Sequence, residues 1–393
     1  MKDFFAHIKR LIADTDKLLL FICLLTSAFG IVCVHSATLT DISEGSAISR
    51  DTRTMILAVS LGLVLAIIIS LIDYNIIVKF WWVLAIICIS LMILLFFIGV
   101  GPSSRSDAKT WISIAGGSLY FQPSELLKIG FIVTFSMHIG LVHSKINSIA
   151  TVIGLCLHAA IPVVLVALSG DMGSALIFIF IFIGMMFMAG LAVRYFVIGT
   201  VVTAASIPFI WKFVLKDLQK TRFLALIHPD EYPDTIYQQK NCLTAIGAGK
   251  LTGMGLFNGT YTQSGLVPEN ENDMILSVVG EELGFVGCVL ALGLLATIII
   301  KIIHIGRKTS DNTAAMMTYG LSSMLLGHII INVSMCLKLF PVVGITLPFF
   351  SAGGSSNLCI YIGIGLALSV YRHSREHEAI DFRLNGLRTP FTE

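Results

Sequence analysis

Residues 81–100 read WWVLAIICISLMILLFFIGV, twenty positions without a charge, opened by Trp81 and Trp82. About 20 apolar residues are what a helix needs to cross a hydrocarbon core of about 30 Å, and tryptophan is favoured where such a helix meets the interface. Comparable runs stand on both sides of it. They are Leu18 to Val34, Met55 to Leu71, Leu126 to Val142, Ala150 to Leu168, Ala175 to Leu191, Tyr195 to Leu215, Met274 to Ile300, Ala314 to Leu337 and Leu358 to Val370. The pattern predicts an all-α integral membrane protein of about ten transmembrane helices.

Composition agrees, with 56% hydrophobic and 13% charged residues and a mean hydropathy of +0.88, where soluble domains carry about 25% charge. A water-soluble fold is excluded. No repeat, low-complexity tract or inverted duplication divides the chain, so residues 1–393 read as a single polytopic membrane domain. The first apolar run has basic residues before it but no small-residue cleavage site, and reads as a retained helix. A net charge of +2, with the basic residues at membrane flanks, gives no sign of a nucleic-acid partner.

Orientation follows from Lys and Arg, which stay cytoplasmic near short loops. Lys2, Lys9, Arg10 and Lys17 precede the first span, Lys301, Arg307 and Lys308 follow the eighth, and Arg372, Arg375, Arg383 and Arg388 follow the tenth. Both termini are expected in the cytoplasm. The opposite face then receives Ala37 to Arg53, Gly101 to Ser124, Ser169 to Gly173, Lys216 to Asp273 and Lys338 to Ser356.

The longest of these, Lys216 to Asp273, precedes the eighth span and exceeds an ordinary connector. Phe223, Leu224, Leu226, Ile227, Leu243, Ile246, Leu251, Leu256 and Phe257 are its expected anchors on the bundle. Gly247-Ala-Gly-Lys250 is not a phosphate loop, because the spacing is wrong and Leu251 fills the hydroxyl position. Seven cysteines fall within spans as apolar core residues, and Cys242 alone is expected to be exposed, so no disulfide framework follows. Asn258-Gly-Thr260 and Asn332-Val-Ser334 match a glycosylation sequon at chance frequency.

Four polar constellations stand out. In Val267-Pro-Glu-Asn-Glu-Asn-Asp-Met-Ile275, Glu269, Glu271 and Asp273 gather just before a span. Asn272 or Asp273 can cap that helix, or a partly desolvated carboxylate can serve as a general base. In Phe121-Gln-Pro-Ser-Glu-Leu-Leu-Lys128, Pro123 opens a helix and Glu125 and Lys128 share a face, as a self-neutralising pair or as the wall of a polar cavity. Asp171, in Ser169-Gly-Asp-Met-Gly-Ser174, reads as a helix cap. The Gly, Ser and Pro-rich run Gly344 to Ser356 reads as a re-entrant or cavity-lining segment before the tenth span, with an outer turn as the alternative. Arg222, ahead of the polar run Tyr237-Gln-Gln-Lys-Asn241, either meets solvent or holds a diphosphate.

These constellations resemble the SEDS family of shape, elongation, division and sporulation proteins over nearly the whole chain. The matching motifs are Phe121 to Lys128, Gly253-Met-Gly-Leu-Phe-Asn-Gly-Thr-Tyr-Thr-Gln263, Val267-Pro-Glu269 with Asn272-Asp-Met-Ile275, Gly280-Glu-Glu-Leu-Gly284, and Leu347-Pro-Phe-Phe-Ser351 with Gly353-Gly-Ser-Ser356. Asn258 to Gln263 favours the RodA branch over the FtsW and SpoVE branches. The resemblance implies a ten-helix peptidoglycan glycosyltransferase. Such an enzyme polymerises lipid II into glycan strands outside the cytoplasmic membrane, alongside a class B penicillin-binding protein that cross-links them. Asp273 falls on the family's essential aspartate, Glu125 and Lys128 on its polar pair, and Arg222 where a basic residue is common. Lys109, Gln263, Glu269 and Ser355 complete the expected substrate-binding or cavity-lining set. The chain departs from the family at Thr110, where an arginine is usual and Lys109 can supply the charge, and at Gly170, Asn241-Cys242 and Ala352.

The expected role of Asp273 is general base on the acceptor hydroxyl, with Lys109, Lys128 and Arg222 as cations on the diphosphate side. A divalent cation can share that task, although no dedicated ligand cage is legible. Two other readings use the same residues: a lipid II flippase, and a non-catalytic scaffold for the transpeptidase.

Overall fold

The computed structural model describes residues 15–42, 46–101, 108–114, 116 and 119–386, with side chains as far as residue 374. Lys2, Lys9, Arg10 and Arg388, and the side chains of Arg375 and Arg383, on which the orientation partly rests, lie outside the described residues.

Apolar helices occupy all ten expected positions: α1 (Lys17–Ala37), α2 (Arg50–Leu71), α3 (Trp81–Ile98), α4 (Pro123–Val142), α5 (Ile149–Leu168), α6 (Met172–Met188), α7 (Val193–Phe209), and three more named below. The shortest, α6 and α7, have 17 residues each, about 26 Å at 1.5 Å per residue, close to the hydrocarbon thickness. Their starts follow the local sequence. Asp16, Ser49, Ser148 and Asp171 each accept a bond from a main-chain N–H of the first turn, and Pro123 opens α4 where a missing N–H costs nothing.

Lys216 to Asp273 is a folded cap and not an open loop. It contains α8 (Asp217–Ile227), α9 (Pro233–Ala248) and the single turn α10 (Thr260–Gln263). Its anchors are only in part the residues expected: Ile246 packs on the core and Phe223 meets Phe340 edge-on. Ala225, Ile236, Cys242 and Ala245 are buried, whereas Ile227, Leu243, Leu251, Leu256 and Phe257 are exposed. Small side chains let α9 approach the bundle closely around Ile236 and Ile246, and the exposed bulky ones are left at the rim. Cys242 is therefore core, and the exposed cysteine is Cys156, on the outer face of α5.

The eighth span, α11 (Ile275–Lys308), is longer than expected and is interrupted at Gly284, whose φ of 68° and ψ of −163° are not helical. Next come α12 (Asn312–Cys336), capped by Asp311, and α13 (Gly354–Gly386). α12 is the hub, packed against α4, α6, α11 and α13, while α2 lies along α13, α1 against α11, α3 against α4, and α5 against α6. No residue of α7 is buried.

Residues 344–352 do re-enter the bundle. Ile345, Leu347, Phe349, Phe350, Ser351 and Ala352 are buried, and a Cβ on Gly30 would collide with the Phe349 carbonyl. Gly30 lies seven residues inside the end of α1 at Ala37, a depth of about 10 Å. The all-α expectation is amended by one feature: strands Ile112–Ile114 and Leu119–Phe121 form an antiparallel hairpin just before α4.

Candidate functional site

The re-entrant segment is the frame of the site, because side chains from two sides satisfy its main chain. His328 and Asn332, one turn apart on α12, take adjacent carbonyls: His328 Nδ1 lies 3.2 Å from the Thr346 oxygen, and Asn332 Nδ2 donates to the Ile345 oxygen at 2.8 Å. Non-helical backbone at this depth needs such partners. Within the segment, Ser351 Oγ accepts from Leu347 N at 2.8 Å, and Asn357 Nδ2 donates to the Ser351 oxygen at 2.8 Å.

Asn332 also donates to the main-chain oxygen of Asp273 at 2.8 Å. A residue that reads in the sequence as part of a chance sequon thus joins the re-entrant segment to the expected base. Asp273 is 7% exposed. The N-cap of α11 is Met274, whose side chain makes no cap bond, and Asp273 stands just before it at the positive end of the helix dipole. Asn272 Nδ2 donates to Glu269 Oε2 at 2.9 Å and Glu271 Oε1 at 3.1 Å.

The turn before Asp273 is laced to the same frame. Ser351 Oγ donates to the Asn272 oxygen at 2.6 Å, and Ala352 N donates to the Glu271 oxygen at 2.9 Å. Glu269 takes a positive φ of 56°, and its oxygen accepts from the N–H groups of Asn272 and Met274. Glu269 is exposed and Glu271 is half-buried. Burial pushes the Glu271 carboxyl up to about 7, and the nearby charges of Glu269, Asp51 and Asp273 add to the rise.

Lys128 is fully buried, with Nζ 2.8 Å from Glu125 Oε1 and 3.0 Å from His328 Nε2. The pair neutralises itself as the simpler reading expected, and through His328 it reaches the re-entrant carbonyl of Thr346. Asp171 is a cap, accepting from Ser174 N at 3.0 Å, and its second oxygen accepts from Gln122 Nε2 at 2.7 Å and Ser124 Oγ at 3.1 Å. Ser355 Oγ accepts from Gln122 N and donates to the Tyr120 oxygen, both at 3.1 Å, joining the start of α13 to that of α4. Glu125, Lys128, Ser355, Asp273 and the acidic turn are therefore tied to one scaffold.

The remaining expected residues lie apart from it in their contacts. Lys109 is exposed, and its Nζ donates to the Phe96 oxygen in the last turn of α3 at 2.6 Å, a favourable place for a cation. Arg222 Nη1 donates to the Val342 oxygen at 2.5 Å. Gln263 Nε2 donates to the Ser36 oxygen at 3.1 Å, which docks the cap on α1. The polar run of α9 is spent likewise: Gln239 on the Met335 and Phe340 oxygens, Gln238 on Pro268 and Asn241 on Leu266. Among the described residues no group of three or more His, Cys, Asp or Glu is arranged to hold a metal ion, and the donors do not form a cage for a divalent cation. Reading by motif missed His328, took Asn332 only as a chance sequon, and placed Glu281 and Glu282 in a matching motif without a role; all four are polar residues inside apolar runs, a signal available in the sequence.

A family model described as "Cell cycle protein", spanning FtsW, RodA and SpoVE, matches residues 16–376. The chain is similar to the peptidoglycan glycosyltransferase MrdB of Escherichia coli K12, at 30% identity over 363 residues, 92% of this chain and 94% of that one. Its fold matches a chain of a peptidoglycan synthase complex that coordinates polymerization and crosslinking, with a TM-score of 0.76, 24% identity and coverage of 92% and 98%. It also matches the rod shape determining protein RodA of Thermus thermophilus, with a TM-score of 0.66, 23% identity and coverage of 92% and 97%.

Proposed function

Because the chain belongs to the family of FtsW, RodA and SpoVE, we propose that it is a peptidoglycan glycosyltransferase that polymerises lipid II, with Asp273 as general base. The observation that carries the reading is the setting of Asp273. It is a buried carboxylate just before the N-cap of α11, with its main chain anchored by Asn332 beside a re-entrant segment.

In this mechanism Asp273 takes the proton from the 4-hydroxyl of the acceptor's N-acetylglucosamine. The hydroxyl oxygen attacks the anomeric carbon of the donor's N-acetylmuramic acid, and undecaprenyl diphosphate departs with the bonding electrons. Burial favours proton uptake by a carboxylate, and anchoring of the backbone holds it in attack geometry without reorganisation. Lys109, Arg222 and Lys128 remain the candidate cations for the departing diphosphate. Lys128 acts there only if Glu125 and His328 yield it.

The end of the bundle that carries the cap and the re-entrant segment faces away from the cytoplasm, and the end with Lys301, Arg307 and Lys308 faces it, with both termini. The partner is a class B penicillin-binding protein, and the Asn258 to Gln263 motif supports a role in elongation. The test is conversion of purified lipid II to polymer in liposomes by the wild type and Asp273→Asn, each with and without the transpeptidase. Polymer from the wild type alone, with a loss of about 10²-fold or more in a folded variant, is expected. Equal polymer from both removes Asp273 from catalysis, and none from either, with the partner present, favours transport or scaffolding.

A further inference from the structure

The break at Gly284 leaves orphan main-chain groups on both sides of it, since carbonyls before it and N–H groups after it lose their helical partners. The segment 250–255 supplies partners for them. Met254 N and Gly255 N donate to the Glu281 and Glu282 oxygens, both at 2.9 Å, while Phe285 N and Val286 N donate to the Lys250 and Leu251 oxygens at 2.9 and 3.1 Å. Side chains cannot enter this splice. A Cβ on Gly249 would collide with the Gly280 carbonyl, and one on Gly253 with that of Glu282; Gly253 also has a φ of 79°.

Two buried carboxylates complete the join. Glu281 Oε1 accepts from Tyr261 N at 2.7 Å, and its Oε2 accepts from Thr262 N at 2.9 Å and Thr262 Oγ1 at 2.7 Å. Glu282 Oε1 accepts from Ser36 Oγ at 2.6 Å and from Gln263 Nε2 at 3.3 Å. Residues 275–283 are thereby cut off from the long rod of α11. They are held at one end by Asn332 on Asp273 and at the other by the spliced segment.

We propose that residues 249–263 form a strap that sets the half-helix 275–283, and that Glu281 is a positioning residue acting on Asp273 through it. The proposal rests on the reading of Asp273 as the base. Displacement of a reacting group by about 1 Å costs on the order of 10²-fold in rate, so a half-helix free to shift is reason enough for a dedicated strap. Glu281 uses both oxygens as acceptors, so Glu281→Gln must turn its amide NH2 toward donors.

The experiment measures kcat and KM for lipid II polymerisation, per folded molecule, in Glu281→Gln, Gly253→Ala, the near-isosteric Thr262→Val, and Glu281→Gln combined with Asp273→Asn. The expected result is a fall in kcat of roughly 10- to 100-fold for the first two and a few-fold for Thr262→Val, with KM within about 2-fold. The double variant is expected to be no slower than Asp273→Asn alone, because Glu281 acts through the aspartate. Thr262→Val removes a single hydroxyl and reports on the strap even where the harsher changes prevent folding. Unchanged kcat in Thr262→Val, a rise confined to KM, or a full additional loss in the double variant overturns the strap. Retained activity in Asp273→Asn alone overturns the base assignment instead.

Discussion

α7 and α12 are both apolar enough to cross a membrane, yet no residue of α7 is buried while most of α12 is. The difference lies in side chains that reach a neighbour, not in hydropathy or in small residues as such, since α7 also holds Gly199, Ala204, Ala205 and Ser206. α12 carries Gly320, Ser322, Gly327, His328 and Asn332, small or polar side chains that admit neighbours closely or reach their carbonyls. α7 presents Val193, Val197, Val201, Val202 and Ile207 to the lipid. Lipid tails are as apolar as a protein core, so close packing and hydrogen bonding, and not hydrophobicity, choose which helix is interior.

Charge deletion gives the largest contrast. Lys128→Ala leaves Glu125 buried without its cation and is expected to cost about 3–5 kcal/mol, whereas Arg194→Ala at the exposed start of α7 changes stability by about 0.5 kcal/mol or less. Thermal unfolding midpoints in detergent measure both, and equal shifts break the comparison. A steric version is smaller. Gly327→Val forces its side chain against Phe180, whose Cβ would lie 2.9 Å from a Cβ on residue 327, and should cost about 1–3 kcal/mol. Gly199→Val on α7 meets nothing within 4 Å and should stay within about 0.5 kcal/mol. The same unfolding midpoints compare the two.

A pH-dependent effect concerns Glu271. Its carboxyl is raised to about 7 in the fold, so the folded state holds this proton more tightly than the unfolded chain does. Its contribution to stability is full below the ordinary carboxylate range and declines as pH rises toward about 7, above which it is flat. Glu271→Gln should remove that slope, read from unfolding midpoints across the interval. An unchanged slope assigns it to other groups.

The sequence by itself determined the ten helices, the cap at Asp171 and the start of α4 at Pro123, and offered re-entry of the run Gly344 to Ser356 against an outer turn. Each of these rests on local rules: length against bilayer thickness, a side-chain oxygen near an N–H, a fixed φ, or a helix-breaking composition. It also marked Asp273, Glu125 and Lys128 through their motifs. Tertiary structure alone decided which anchors hold the cap, that Cys242 is interior, that Gln263 docks on α1, and that His328 and Asn332 join the ion pair and the aspartate to one frame. It alone turned Glu281 and Glu282 into the fastening of a broken helix. These outcomes depend on which distant backbone groups come within about 3 Å of one another, and no spacing along the chain encodes that distance.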